Sequence, residues 1–477
     1  MLNYVLRIRD LIHGTILFTE KEMMLINHPC FQRLRQIKQN DVAFYVYPSM
    51  HISRFEHVLG VCRVAGMIAE TLTKSPKWKD YRKVLSAETG LSKNNEEIKE
   101  QFIQLCRFYA LLHDIGHFPL SHLFEHAMKQ WADPHYSQTI VEWTGFEGFE
   151  KPHEAFGASL TRKIIRDIGV PDVIGDSLLR LMGEKNLPFS HPLYVAKSVV
   201  DAEIDADRID FVQRDGLAAG GEYGNYDVRR LCDSAFIEQR GESWVIAYSE
   251  KAITSMEALL LDRYRTYTWV QFHHKTVEMK ALVRFLIQKA LEMQLVTKEH
   301  FNFEDAKGFA LKDDVWLWNV LRTMESNDKT VKMVQEAVFY REKKHVLNLW
   351  KTRPVYHRFE DEIKVKTQRD SADFNRTDSY RDHLNRKMKV AALMFDLKFF
   401  KPVSDMATYL YSESQKKLTG DTLVEVSKIV ASLQAIRDNE PQYFIILVGH
   451  NARMRAQKLA EQWIDATADF ITNPPLW

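Results

Sequence analysis

Cysteine is scarce. The 477 residues hold four, Cys30, Cys62, Cys106 and Cys232, far apart and without a CxxC pair. Such spacing argues against a thiolate zinc site and a disulfide framework, and makes a reducing cytoplasm the expected location. Net charge is lacking too, since 65 Lys and Arg against 64 Asp and Glu leave +1. No global field therefore drives the chain onto nucleic acid or a membrane, although local basic patches stay open. No stretch approaches the roughly 18 to 20 apolar residues of a membrane span. The opening MLNYVLRIRDLIHG alternates polar and apolar residues and lacks the basic start and apolar core of a secretory signal. There is no heptad run, internal repeat or low-complexity tract to suggest a coiled coil or an array. What is present, 45% hydrophobic and 27% charged residues, suits a soluble globular chain able to bury a large core.

Most of that core reads as helix. Two short strands are expected around His13-Gly14, a turn-forming pair, followed by helix from Lys21 to Asn40, with Pro29 permitted at a helix start. Val61, Val64, Ile68 and Leu72 recur on one helical face, and Ile98, Phe102, Leu105, Tyr109 and Leu112 on another. Later, 244–248 reads as a short strand pair leading into a helix, and 324–331 as a polar link. The mixed-charge stretch 343–378 reads as a solvated face with apolar anchors. Residues 442–450 have the β-branched content of a buried strand, and 451–471 of a closing amphipathic helix. The expected fold class is mainly α: a helical core over 1–325 with short N-terminal and mid-chain β-hairpins, then a mixed α/β appendage over 326–477 for assembly or regulation.

Ionisable groups interrupt the apolar stripes. His57 lies four residues before Val61, and His113 four beyond Tyr109, so both point inward. Residues 199–215 read as a helix on which Val200, Ile204 and Phe211 share a face with Asp207. An unpaired carboxylate there is costly, so it finds a cation or loses its charge. Asp201, Glu203, Asp205 and Asp210 crowd the same turns, which invites a metal ion or arginines. Taken singly, each histidine is a hydrogen-bonded core residue, and Asp207 pairs with Arg208 or Arg214. Together with the dipeptide His113-Asp114 they form a mixed nitrogen and oxygen donor set suited to iron, manganese, zinc, nickel or magnesium. Adjacent helical residues diverge by about 100°, so His113 and Asp114 share an ion only if it sits between them.

The blocks IRDLIHGTILFTEKEMMLINHPCFQRLRQIKQ, YPSMHISRFEHVLGVCRVAG, LLHDIGHFPLSHLFEH, PHEAFG, DADRIDFVQRD and DRYRTYTWVQFHHK follow one another from Ile8 to Lys275. In this order they resemble the HD-domain metal-dependent phosphohydrolases and, within them, the deoxynucleoside triphosphate triphosphohydrolases. The resemblance implies an HD-domain helical core with His57, His113, Asp114 and Asp207 as metal ligands. It implies phosphate contacts for Arg54 and Arg208, whose structural alternatives are an ion pair of Arg54 with Glu56 or a neighbouring acid and an intrahelical pair of Arg208 with Asp205 or Glu203. His117, His122, Glu125 and His153 match the catalytic group, while Gln39 and Asp215 match nucleoside contacts, Asp215 at the sugar 3′-hydroxyl. Phe211 stands where some members carry a tyrosine near the sugar. Asn40 replaces a small or apolar residue, and VQFHHK departs from the more usual VYFHK. These changes touch substrate selection and leave the metal set intact.

The implied chemistry needs those residue types. Negative oxygens shield a phosphate ester from nucleophiles, and a divalent ion polarises the phosphoryl group and lowers the pKa of water from about 15.7 toward 7. Arginines stabilise the developing charge, and a histidine held by a carboxylate protonates the departing 5′-oxygen. The expected reaction converts a deoxynucleoside triphosphate to deoxynucleoside and inorganic triphosphate. Members of the family form dimers, tetramers or hexamers, and some bind an allosteric nucleotide. Two other functions stay open: hydrolysis of a nucleoside monophosphate, diadenosine polyphosphate or signalling nucleotide, and nucleotide sensing or single-stranded nucleic-acid binding.

Overall fold

The computed structural model describes residues 2–368, 378–396, 403, 406–436 and 443–473. It is mainly α. The chain opens with an antiparallel hairpin, β1 (Tyr4–Asp10) and β2 (Gly14–Thr19), in which Ile8 faces Ile16. The helices that position the site are α1 (Arg54–Leu72), α2 (Asn95–Leu112), α3 (His122–Ala132), α4 (Pro152–Asp167) and α5 (Ala206–Ala218). A second hairpin, β3 (Ala235–Arg240) and β4 (Ser243–Ser249), precedes α6 (Ile253–Thr266), α7 (His274–Glu292) and α8 (Asp314–Thr323).

Local chemistry sets the helix starts. Ser53 caps α1 in a reciprocal box: its hydroxyl accepts from Glu56 N at 3.4 Å, and the Glu56 carboxylate accepts from Ser53 N at 2.8 Å. Such a cap is worth about 1 kcal/mol. Asn94 caps α2 through Glu96 N and Glu97 N. The apolar stripes of both helices are buried, α1 packs on α2, and α5 also packs on α1.

Two helical readings are corrected. Residues 21–40 are not one helix. The helix Glu20–Ile26 ends before His28, whose Nδ1 accepts from Cys30 N to start a new turn at Pro29, and the chain is extended by Ile37. Proline has no N–H to continue a helix but opens one readily. Likewise 199–215 is helical only from Ala206, because the Asp205 carboxylate accepts from Arg208 N at 2.7 Å and Ala202 N at 2.8 Å. The mid-chain pair runs over 235–249, wider than 244–248.

The C-terminal region contributes β5 (Val346–Asn348), β6 (Ala391–Asp396), β7 (Tyr409–Ser412), β8 (Lys417–Thr422), β9 (Tyr443–Val448) and the final helix α9 (Ala456–Thr472). One sheet has the order β5-β9-β6, with the expected buried strand β9 in its centre. The other has the order β3-β4-β7-β8, and β4 pairs in parallel with β7, so this sheet crosses the expected division at 325/326. Within 343–378, a helix occupies Arg353–Thr367, and 369–377 lie outside the described residues. In 324–331, helix resumes at Lys329. Among the described residues no helix is long and apolar enough to cross a membrane.

Candidate active site

Three helix ends converge. His57 lies in the first turn of α1, His113 caps the C-terminus of α2, Asp114 follows it in the turn, and Asp207 occupies the first turn of α5. His57 Nε2 is 2.9 Å from Asp207 Oδ1 and 3.8 Å from Asp114 Oδ2. His113 Nε2 is 3.6 Å from Asp114 Oδ1 and 3.8 Å from Asp207 Oδ1. His113 ends α2 with helical dihedrals, φ −55° and ψ −34°, and its Nε2 and Asp114 Oδ1 flank the space between them.

These donors fit a divalent ion. Ligand atoms about 2.1 Å from a first-row cation lie about 3.0 to 3.4 Å apart at octahedral or tetrahedral angles, close to the separations above. The Nδ1 atoms of both histidines are bound elsewhere, to Asp210 Oδ2 at 2.8 Å and to Ala110 O at 2.7 Å. Their Nε2 atoms are buried without a hydrogen-bond partner and aim at the shared space. Burial opposes charge on His57, but the Asp207 and Asp210 carboxylates outweigh it and raise its pKa to about 10. A field that holds a proton so firmly also favours a metal cation in its place.

The support behind His57 comes from the N-terminus. Asp210 accepts from His57 Nδ1, from His13 Nε2 at 2.7 Å, and from Arg214 Nη2 at 2.7 Å and Nε at 2.9 Å. Arg214 also donates to Asp10 Oδ2 at 2.9 Å. Gly60 makes this possible: a Cβ there would lie 1.8 Å from Asp210 Oδ1. In the sequence Asp210 was one acid in a crowd, and Asp10 and His13 only flanked a turn. The legible clue was a glycine inside an otherwise apolar helix. Asp210→Asn keeps the shape and removes the charge that orients the imidazole. It is expected to weaken metal binding about 10- to 100-fold, measured by equilibrium dialysis, with thermal unfolding as the folding control.

Beside this cluster stands a second. His122 Nδ1 and His153 Nδ1 bond the two oxygens of Glu125 at 3.1 and 2.7 Å. The ring of His117 stacks on that of His153, with centroids 4.2 Å apart. Gly116 allows this approach, since a Cβ there would lie 2.1 Å from His153 O. His117 Nε2 lies 3.2 Å from Asp114 Oδ1 and so links the clusters. Burial opposes ionisation of Glu125, but His153 and His122 hold its pKa well below the usual carboxylate range. Burial, with Arg54 and His153, holds His117 well below 6.5. His122 is also lowered by burial, against the pull of Glu125, yet its side chain is 54% exposed to the cavity. The four residues could also hold an ion. With both Glu125 oxygens taken by imidazoles, the arrangement serves proton handling better.

His113, Asp114 and Asp207 of the first cluster and all four residues of the second line one cavity of about 630 Å³, within the range of small-molecule sites. Gln39, Arg54, Phe211 and Asp215 line it as well. Gln39 Oε1 is buried without a hydrogen-bond partner. Asp215 accepts from Asn40 Nδ2 at 2.8 Å, and burial raises its carboxyl to about 7. Asn40 in turn accepts from Gln271, and Lys280 donates to Gln271 Oε1 at 2.5 Å. This polar chain includes Gln271 and Lys280, which the sequence reading did not single out. Arg54 pairs with Asp114 and donates through Nε to Ser121 Oγ at 2.8 Å. Arg208 does not line the cavity; it pairs with Asp205, its structural alternative.

Residues 54–214 match the family model of the HD domain. It is 30% identical over 319 residues to an uncharacterised protein of Methanocaldococcus jannaschii, covering 67% of this chain and 55% of that one. To the deoxynucleoside triphosphate triphosphohydrolase SAMHD1 homolog of Dictyostelium discoideum it is 28% identical over 368 residues, 76% of this chain and 61% of the relative. The chain thus spans under two thirds of these curated relatives' length. In fold it is similar to a hypothetical protein from Aquifex aeolicus, with a TM-score of 0.62 at 22% identity, over 96% of this chain and 99% of the other.

Proposed function

We propose that the protein is a metal-dependent hydrolase of deoxynucleoside triphosphates that attacks the α-phosphorus and releases deoxynucleoside and inorganic triphosphate. The observation that carries this reading is the junction of the two clusters, His117 Nε2 lying 3.2 Å from Asp114 Oδ1 inside one cavity. A donor set for a divalent ion thereby meets a proton-handling group within one cavity, as attack at phosphorus with protonation of the leaving oxygen requires.

A divalent ion held by His57, His113, Asp114 and Asp207 would supply Lewis-acid polarisation and activation of water. The chain's own groups do the rest. Arg54 stands beside Asp114, where its guanidinium can neutralise charge on the α-phosphate. As the oxygen of water bonds to phosphorus, the P–O5′ bond breaks and O5′ needs a proton. His122 faces the cavity and is braced by Glu125, which makes it the donor, with His153 sharing the carboxylate. Burial lowers the pKa of His122, but an arriving polyanion works in the opposite direction and promotes its protonated form. Phe211 and the Gln39, Asn40 and Asp215 group receive the nucleoside end. Assembly into a homo-oligomer and binding of an activating nucleotide belong to the same proposal.

The test is turnover of each deoxynucleotide with Mn²⁺ or Mg²⁺ in H₂¹⁸O. Deoxynucleoside and triphosphate are expected, with the label in triphosphate. Orthophosphate or pyrophosphate as the sole product, or label in the nucleoside, would overturn it. Salt-sensitive retention on single-stranded DNA without turnover would favour the binding alternative.

A further inference from the structure

The loop 113–121, which carries His113, Asp114 and His117 and leads into His122, is held by a carboxylate outside the HD-matched residues. Asp314, at the start of α8, is 3% exposed. Its Oδ1 accepts from Leu120 N at 2.7 Å, and its Oδ2 accepts from Lys38 N at 2.8 Å. Leu120 and Ser121 have φ of 57° and 53°, which non-glycine residues rarely adopt. Ser121 precedes α3 but makes no cap bond with its side chain. Its hydroxyl instead donates to Lys38 O at 2.9 Å and accepts from Arg54 Nε at 2.8 Å. The residue Lys38 is therefore gripped at both ends, its N–H by Asp314 and its carbonyl by Ser121. Gln39 and Asn40, at the nucleoside end of the cavity, follow it directly, and His122 follows Ser121.

We infer that Asp314 is a positioning residue that fixes the distance between the nucleoside segment 38–40 and the leaving-group residue His122. Only a carboxylate suits this place. Each oxygen meets a backbone N–H, whereas an amide would turn one acceptor into a donor facing another donor. Strained backbone at a functional site persists only where its surroundings over-determine it, and Asp314 with Ser121 supplies that determination for Leu120 and Ser121. The consequence for turnover rests on the hydrolase reading; the tie itself does not.

The test uses the full chain carrying Asp314→Asn. Amide hydrogen exchange should rise about tenfold in 37–41 and in 118–123 together, while the rest of the chain keeps its protection and the bound Mn²⁺ stays at the wild-type level. The kcat should fall about 100-fold with KM changed far less, the scale of a misplaced reacting group. In a His122→Ala background the same substitution should cost less than about threefold, since the two act through one step. Exchange rising in one segment alone, exchange rising everywhere, or rate losses that multiply would overturn the inference. If Asp314→Asn does not fold, Ser121→Ala must show the same paired exchange, or the tie is refuted. A wild-type protein that turns over no nucleotide refutes the hydrolase reading, and the exchange pattern still decides the tie.

Discussion

Asp207→Ala is expected to lower turnover by at least about 10³-fold and to strip the protein of its divalent ion. Asp207 Oδ1 lies 2.9 Å from His57 Nε2 and 3.8 Å from His113 Nε2. Removing it leaves two imidazoles and Asp114, which also pairs with Arg54 and His117. A cation on arginine competes for that oxygen, so the remaining trio is weaker than a count of three ligands suggests. Burial opposes charge on Asp207, yet His113 and His57 hold its carboxyl below the usual range, so it is ionised at neutral pH and available to a metal. Metal content per chain by plasma mass spectrometry, alongside turnover, checks this. The competing account makes Asp207 a structural counter-ion of buried His57. On that account metal content stays at the wild-type level while the unfolding temperature falls, because a buried charge has lost its partner. Metal content separates the two accounts: it falls on the first and is unchanged on the second.

The legible parts of the site were those where an ionisable side chain breaks an apolar stripe. His57 before Val61 and His113 after Tyr109 stood out from spacing alone, and the structure brings both to one point with Asp114 and Asp207. Asp207 was read from a helix that begins later than expected. Val200 and Ile204 continue a helical spacing, but the Asp205 carboxylate takes Ala202 N and Arg208 N and forces the start to Ala206. That error in the helix left the site unharmed, since Asp207 lies inside the true first turn. Apolar spacing alone did not point to Glu125 and His153, which came from resemblance. Asp314 was beyond reach for a different reason, and Asp210 was marked only by the glycine opposite it. Each is an acid among acids, and its meaning lies in groups distant along the chain, such as Lys38 for Asp314 and His13 for Asp210. Periodicity reports which face a residue takes, not which backbone N–H awaits it there. The parallel pairing of β4 with β7 was hidden likewise, because short strands far apart in sequence carry no signal of their partner.

Glu125→Gln is expected to lower kcat about 10²- to 10⁴-fold while the metal content and KM remain close to wild type. The carboxylate spans His122 Nδ1 at 3.1 Å and His153 Nδ1 at 2.7 Å, and neither histidine belongs to the metal donor set. An amide can accept from one ring only and must present its NH₂ to the other. The sign of the pH effect follows from the same contacts. Burial lowers the pKa of His122 and Glu125 raises it, so losing the charge lowers it further. A reaction that needs protonated His122 then loses its alkaline limb at a lower pH than in the wild type, which a kcat–pH profile reads directly. A substrate with sulfur in place of the 5′-oxygen separates this from general damage to the site. A thiolate leaves without a proton, so the penalty of Glu125→Gln should shrink to about tenfold or less on that substrate. An equal penalty on both substrates would mean that Glu125 only shapes the cavity and that the proton reaches O5′ from another group.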